Sequence, residues 1–139
     1  MSRLSWDEAV AIINNNGDVS KLNHLAFDIN HVDEFQNFIR DHESNNFENN
    51  WFDKVKQTLF HVAIKANHLE AVKILLQNGA NKDLPYITVT IRAQRCLISG
   101  SVHNYAAAEW SDWKRWVEKS EKRACQDLTT NTDILQLLK

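Results

Sequence analysis

Apolar residues recur at helical spacing in the middle of this chain. Val72, Leu75, Leu76 and Gly79 stand at i, i+3, i+4, i+7, the pattern of an amphipathic helix. Gly79 can close that helix in a left-handed conformation. Upstream, Leu59, Val62, Ala63 and Ala66 form a shorter apolar stripe. Ala63 and Ala66 are small, so two helices can approach closely, and Thr58 is placed to cap the first. The segment reads as helix, tight turn, helix, glycine.

The pattern repeats. LNHLAFDINHVDEFQNFI (Leu22–Ile39) aligns without a gap on LFHVAIKANHLEAVKILL (Leu59–Leu76). Leu22/Leu59, His24/His61, Ala26/Ala63, Asn30/Asn67 and His31/His68 are identical pairs. DEAVAIINNNG (Asp7–Gly17) matches LEAVKILLQNG (Leu69–Gly79), the second half of the unit, and TDILQLLK (Thr132–Lys139) follows the same helical pattern. One such unit cannot bury both its faces, whereas stacked neighbours can, which predicts a solenoid. Beyond Asp83 the pattern predicts a first helix at Ile87–Ile98, a break at Gly100 and a shortened second helix at Ser101–Ala108. A long helix at Ala107–Cys125 follows, with Trp113, Trp116, Val117, Ser120 and Ala124 on one face. TTNTD (Thr129–Asp133) offers capping residues for a last helix, Asp133–Leu138.

QTLFHVAIKANHLEAVKILLQNGANKD (Gln57–Asp83) resembles an ankyrin repeat. Thr58, His61 and Ala63 match the family's Thr-Pro-Leu-His-x-Ala opening. His68, Glu70, Val72, Leu75 and Leu76 follow in order, then Gly79 and Ala80. The opening Pro is absent, and Asn67 replaces the inter-helix Gly, a residue that tolerates a left-handed backbone. The copy at Val19–Glu43 has His42 where Gly should end the second helix, and the link from His42 to His61 is long for a finger. The resemblance implies an all-α fold: a short ankyrin-type solenoid with irregular fingers and an irregular helical C-terminal cap. It would form one domain over 1–139, with a partial repeat at 5–17 and a repeat at 19–50. The best-formed repeat would cover 55–86, and a degenerate repeat and cap 87–139. It also implies that His61 bonds backbone groups of the neighbouring finger, and that fingers and concave helices bind a partner protein.

Composition is consistent with a single globular domain: 43% of 139 residues are apolar and 24% charged. Three Gly and one Pro argue against a turn-rich all-β sandwich or barrel. A net charge of −2 asks for no nucleic acid. The basic stretch Lys114–Arg123 contains Glu118 and Glu121 and reads as a solvated helix face. No run approaches the roughly 18 apolar residues of a membrane span, and the N-terminus does not resemble a secretory signal. Two cysteines make neither a disulfide framework nor a zinc site, and suit a reducing cytosol. The chain uses 15 Asn, 10 Ile and 10 Lys against 6 Arg, a bias that fits an AT-rich genome such as those of many intracellular microbes and insect viruses.

The candidate chemistry is recognition rather than catalysis. Trp51, Phe52 and Lys54 lie in the long finger, Lys65 in the adjoining helix and Tyr86 in the next finger. Trp110, Trp113 and Trp116 lie three apart, and on a helix they cannot all face one core. Trp51, Phe52, Lys54, Lys65, Tyr86 and Trp110 are therefore the candidate partner-binding residues. His24/His31 and His61/His68 span two turns, which sets their rings roughly 10 Å apart, too far for one metal ion bound at about 2 Å. Cys96 and His103 could pass for a nucleophile and its base. With Cys125 they carry the rival reading, a small enzyme or metal protein. No phosphate loop, paired-carboxylate motif or HExxH helix is present. The expectation is a cytoplasmic, non-enzymatic interaction module without cofactor or metal. It would bind another protein, without nucleic-acid binding or membrane insertion. It would be a monomer, although exposed tryptophans offer a route to self-association. It would act as an adaptor, or as a microbial or viral effector or inhibitor on a host protein.

Overall fold

Ser5 opens the first helix, α1 (Trp6–Asn14). Its hydroxyl accepts from the Glu8 backbone N–H at 3.2 Å, and the Glu8 carboxylate accepts from the Ser5 N–H at 3.1 Å, a reciprocal cap. A 3-10 turn at Val19–Asn23 follows, capped by Asp18 and burying Leu22. In the computed structural model, which describes residues 2–44, 46–101 and 103–139, the segment Gln57–Asp83 folds as its pattern predicts. Thr58 caps α2 (Leu59–Lys65), Asn67 turns the chain at φ 54°, α3 (Leu69–Gln77) follows, and Gly79 ends it at φ 91°. The last helix, α4 (Thr132–Leu137), is capped by the Asn131 side chain, which accepts from the Asp133 and Ile134 N–H groups.

The chain as a whole is not an all-α solenoid: strand accounts for 42% and helix for 30%. Five strands form one sheet: β1 (Asp33–Ser44), β2 (Phe47–Gln57), β3 (Tyr86–Ser101), β4 (Asn104–Trp110) and β5 (Lys114–Arg123). Their order is β1-β2-β3-β4, and β5 also pairs with β3. β3 and β4 are antiparallel, with Leu97 opposite Trp110 and Ser101 opposite Asn104. The two-residue connection between β1 and β2 admits only antiparallel pairing.

Each helix expected outside the best repeat and the chain ends is therefore corrected, and the residues show why. In the copy at Leu22–Ile39 a 3-10 turn stands for the first helix, and β1 replaces the second. Phe35, Phe38 and Ile39 suit a pleated strand as well as a helix, and pairing with β2 decides. The helix expected at Ile87–Ile98 is the start of β3, where Ile87, Thr88, Val89, Thr90 and Ile91 form a β-branched run that is stiff at χ1. The one expected at Ser101–Ala108, of which Val102 lies outside the described residues, is β4, and Ala107–Cys125 contains β5. Scarce Gly and Pro misled because the strands are long. β3 runs for 16 residues, so few turns are needed. Gly100 lies within β3 at the register shift between Ser99 and Ser101, with φ 90°, where a Cβ would come within 2.4 Å of the Ala107 carbonyl oxygen.

The chain divides into two compact units. The first comprises Met1–Glu34, Lys56–Ile87 and Lys122–Lys139. Its core is ordinary: Ala9, Ile13, Leu22, Leu59, Phe60, Ile64, Ala71, Val72, Leu75, Cys125 and Ile134 are buried together. The second comprises Phe35–Val55 and Thr88–Glu121 and holds most of the sheet. Among its described residues few large apolar side chains are buried, Trp51 and Val55 being two of them.

Candidate interaction surface

His61 organises the repeat. Its Nδ1 accepts the Thr58 backbone N–H at 2.9 Å, which leaves Nε2 as the protonated nitrogen, donating to the Leu84 carbonyl at 2.8 Å. The ring is fully buried. Burial holds its pKa below the usual imidazole value, Lys65 lowers it further, and the Leu84 carbonyl opposes both. The resemblance implied this tether to the finger. Lys65 donates to the Tyr86 hydroxyl at 2.9 Å and lies 4.7 Å over its ring, and Tyr86 meets the His61 ring edge-on at 5.9 Å. Lys65 is exposed, whereas Tyr86 is buried.

In the second unit, alternation along β2 puts Asn49, Trp51 and Asp53 on one face and Glu48, Phe52 and Lys54 on the other. On the first face Arg92 is the hub. It donates through Nε and Nη2 to the Asn49 side-chain carbonyl at 3.0 and 2.9 Å and pairs with Glu118 at 3.3 Å. Its guanidinium lies 5.1 Å from the Trp51 ring and 5.3 Å from Trp116. Trp51 donates from Nε1 to Glu118 at 3.1 Å and carries Arg40 at 4.2 Å. Gln94 donates to Asn49 and Thr90 to Asp53.

The opposite face has its own hub. Arg95 pairs with Glu48 and lies 4.8 Å from both the Trp110 and Trp113 rings. Phe52 is half-buried, 5.8 Å from the Phe38 ring, with the Arg115 guanidinium 5.9 Å from its centroid. Phe38 and Arg40, two residues apart on β1, meet neighbours on opposite faces of β2.

Of the six sequence candidates, Phe52, Lys54 and Trp110 share this second face. Trp51 lies on the other face, 9% exposed, and Lys65 and Tyr86 belong to the repeat. Sequence reasoning missed Phe38, Arg95 and Arg115. Their signal was the period-two alternation of aromatic and charged residues, which had been read at helical period.

The rival chemistry fares differently. Cys96 is exposed on β3 and His103 sits in the β3–β4 connection, while Cys125 is buried with its thiol pushed up to about 11, mainly by burial. A protonated thiol of that kind is a poor nucleophile. No group of three or more His, Cys, Asp or Glu able to hold a metal ion occurs among the described residues. An open depression beside Leu4, Glu8, Asp18, Lys21 and His24 has carboxylates already engaged as helix caps: Glu8 with Ser5 and Asp18 with Ser20. No helix among the described residues is long and apolar enough to cross a membrane.

Residues 56–86 match the family model of the ankyrin repeat. The chain carries an ankyrin repeat, centred on α2 and α3, and such a repeat marks a protein-interaction module in general. No curated protein and no solved structure matches the chain.

Proposed function

We propose that this protein is a non-enzymatic interaction module in which the finger positions of an ankyrin repeat have grown into a sheet, and that the sheet contacts a partner protein. β1 and β2 lie in the chain between the 3-10 turn and α2, and β3 to β5 between α3 and α4, where fingers connect repeats. The observation that carries the reading is the open aromatic surface of the sheet: Phe38 is 58% exposed, and Trp113 and Trp116 each 39%. Exposed aromatics beside arginines are the side chains enriched at binding hot spots. Phe52, Lys54 and Trp110 belong to the contact surface of the sheet, and Lys65 is a separate candidate contact on the repeat.

The finer reading is an adaptor or inhibitor that occupies a partner's surface in the cytosol, including that of a host cell if the source is a microbe or virus. The Asn, Ile and Lys bias and the two free cysteines support it. Affinity capture with mass spectrometry tests the module, using Phe52→Ala/Lys54→Ala as the control. The expected result is one dominant partner lost from the double variant while its thermal melt stays within a few degrees of the parent. Undiminished capture by a folded double variant sinks the assigned surface.

A further inference from the structure

A sheet with an apolar face ordinarily buries that face under a second layer. The two faces of this sheet differ in how far they satisfy themselves. On the Trp51 face, Asn49, Glu118 and Asp53 accept the donors of Arg92, Gln94, Trp51 and Thr90. On the Phe52 face Glu48 is committed to Arg95 and Glu121 to Lys119. Arg115 has only its contact with the Phe52 ring among the described residues. On the same face, Phe38, against the Phe52 ring, is 58% exposed, and Trp113, against Arg95, is 39% exposed. Val117, at 59%, lies two residues from Arg115 and so on the same face of β5. The result is a face with exposed apolar side chains and, against one of its rings, a cation that lacks a carboxylate.

We infer that this face docks an amphipathic helix of the partner protein, with an apolar stripe bordered by Asp or Glu side chains. The stripe covers Phe38, Phe52 and Val117, and a bordering carboxylate takes the fork of Arg115, a charge-assisted bond of the stronger kind. A helix about 10 Å wide laid across the strands supplies the missing layer. A second copy of this chain is the poorer occupant. Packed face to face it would bring two Arg115 guanidiniums of like charge together, and an uncompensated buried charge is strongly unfavourable. The inference rests on the interaction-module reading and specifies its partner.

Fluorescence anisotropy on the full chain tests it. The probes are two labelled synthetic helices with Leu at i, i+3, i+4, i+7, one flanked by Glu and one by Lys. The Glu helix is expected to bind about tenfold more tightly, the size of one charge-assisted bond, with the preference shrinking at high salt. Arg115→Glu is expected to reverse the preference, and Phe38→Ser to weaken both helices; thermal melts establish that each variant is folded. Equal affinities, absence of binding, or a preference that survives in Arg115→Glu overturns the inference. A dimer of the chain alone that Phe38→Ser dissolves overturns it in favour of a second copy. A captured partner retained by both variants overturns it while leaving the interaction module standing, whereas a wild-type chain that captures no partner counts against the module itself.

Discussion

Replacing Trp51 by Ala tests what holds the sheet together. The indole is 9% exposed. Arg40 lies over it at 4.2 Å, Arg92 at 5.1 Å, and its N–H donates to Glu118 at 3.1 Å. Truncating a buried Trp to Ala costs about 3–5 kcal/mol. The two cation–π contacts, at about 0.5–1 kcal/mol each for partly exposed partners, fall inside that figure rather than on top of it. Glu118 keeps Arg92, so no buried charge is orphaned and the upper end is not exceeded. Domains of this size hold about 5–15 kcal/mol in all, so the variant should lose a large part of its margin. Urea titration followed by circular dichroism measures it. Trp51→Phe keeps a ring and removes only the donor, for about 1 kcal/mol. A double-mutant cycle with Arg92→Ala should return a coupling of about 0.5–1 kcal/mol. A Trp51→Ala protein within about 0.5 kcal/mol of the parent, the scatter of surface substitutions, would refute the Trp51 stack as the sheet's support. The same experiment separates two roles for this residue, since a pure partner contact would lose affinity and leave the urea midpoint in place.

Two further outcomes follow from single positions. Gly100→Ala places a methyl 2.4 Å from the Ala107 oxygen and 2.7 Å from the Ala108 Cα at a φ of 90°, and rigid backbone cannot yield as a side chain would. Hydrogen exchange should show the β3–β4 hairpin losing about 1–3 kcal/mol of protection while α3 amides keep theirs; an unchanged hairpin would contradict the strain. For His61, the folded pKa lies below the ordinary value near 6.5, first because of burial. Below that value the unfolded chain takes the proton more readily, so the contribution is complete above about pH 6.5 and lost as pH falls beneath it. Protonation at Nδ1 would also remove the acceptor of the Thr58 N–H. Urea midpoints at pH 7.5 and 5.5 should diverge in the parent and converge in His61→Gln, and an equal slope in both would exclude His61 as the titrating group.

The repeat was legible because its determinants are local. Thr58, Asn67 and Gly79 act within a few residues of where they stand, and the apolar stripe of α3 carries the period of the structure it forms. The sheet was not legible because its determinants are remote: Arg92 meets Asn49 across 43 positions, and Trp51 meets Glu118 across 67. The duplication also misled. His24 is identical to His61 in the aligned copies, yet it is exposed and ends a 3-10 turn, so the alignment carried the residue without its tether. The tryptophan spacing was seen and placed on the wrong period. Trp116, on β5, goes to Arg92, and Trp113, in the β4–β5 connection, goes to Arg95 on the other face.

Those two arginines explain how a sheet with so little buried hydrocarbon holds its shape. They stand three apart on β3, an odd step, so each serves a different face. Each lies against two indoles, Arg92 against Trp51 and Trp116, Arg95 against Trp110 and Trp113, and each is fixed by a glutamate from another strand. Only a planar, forked cation can stack on rings and donate to a carboxylate from its edge together, so lysine would not substitute. The stacks tie β2, β3 and β5 on one face, and β2 and β3 to the tryptophans flanking the β4–β5 connection on the other, without requiring either face to be dry. Stability that resides in cross-strand stacks leaves the apolar side chains between them uncommitted. Phe38, Val117 and part of Trp113 are then surplus to the fold, and surplus apolar surface beside an unpaired arginine is what a partner can use.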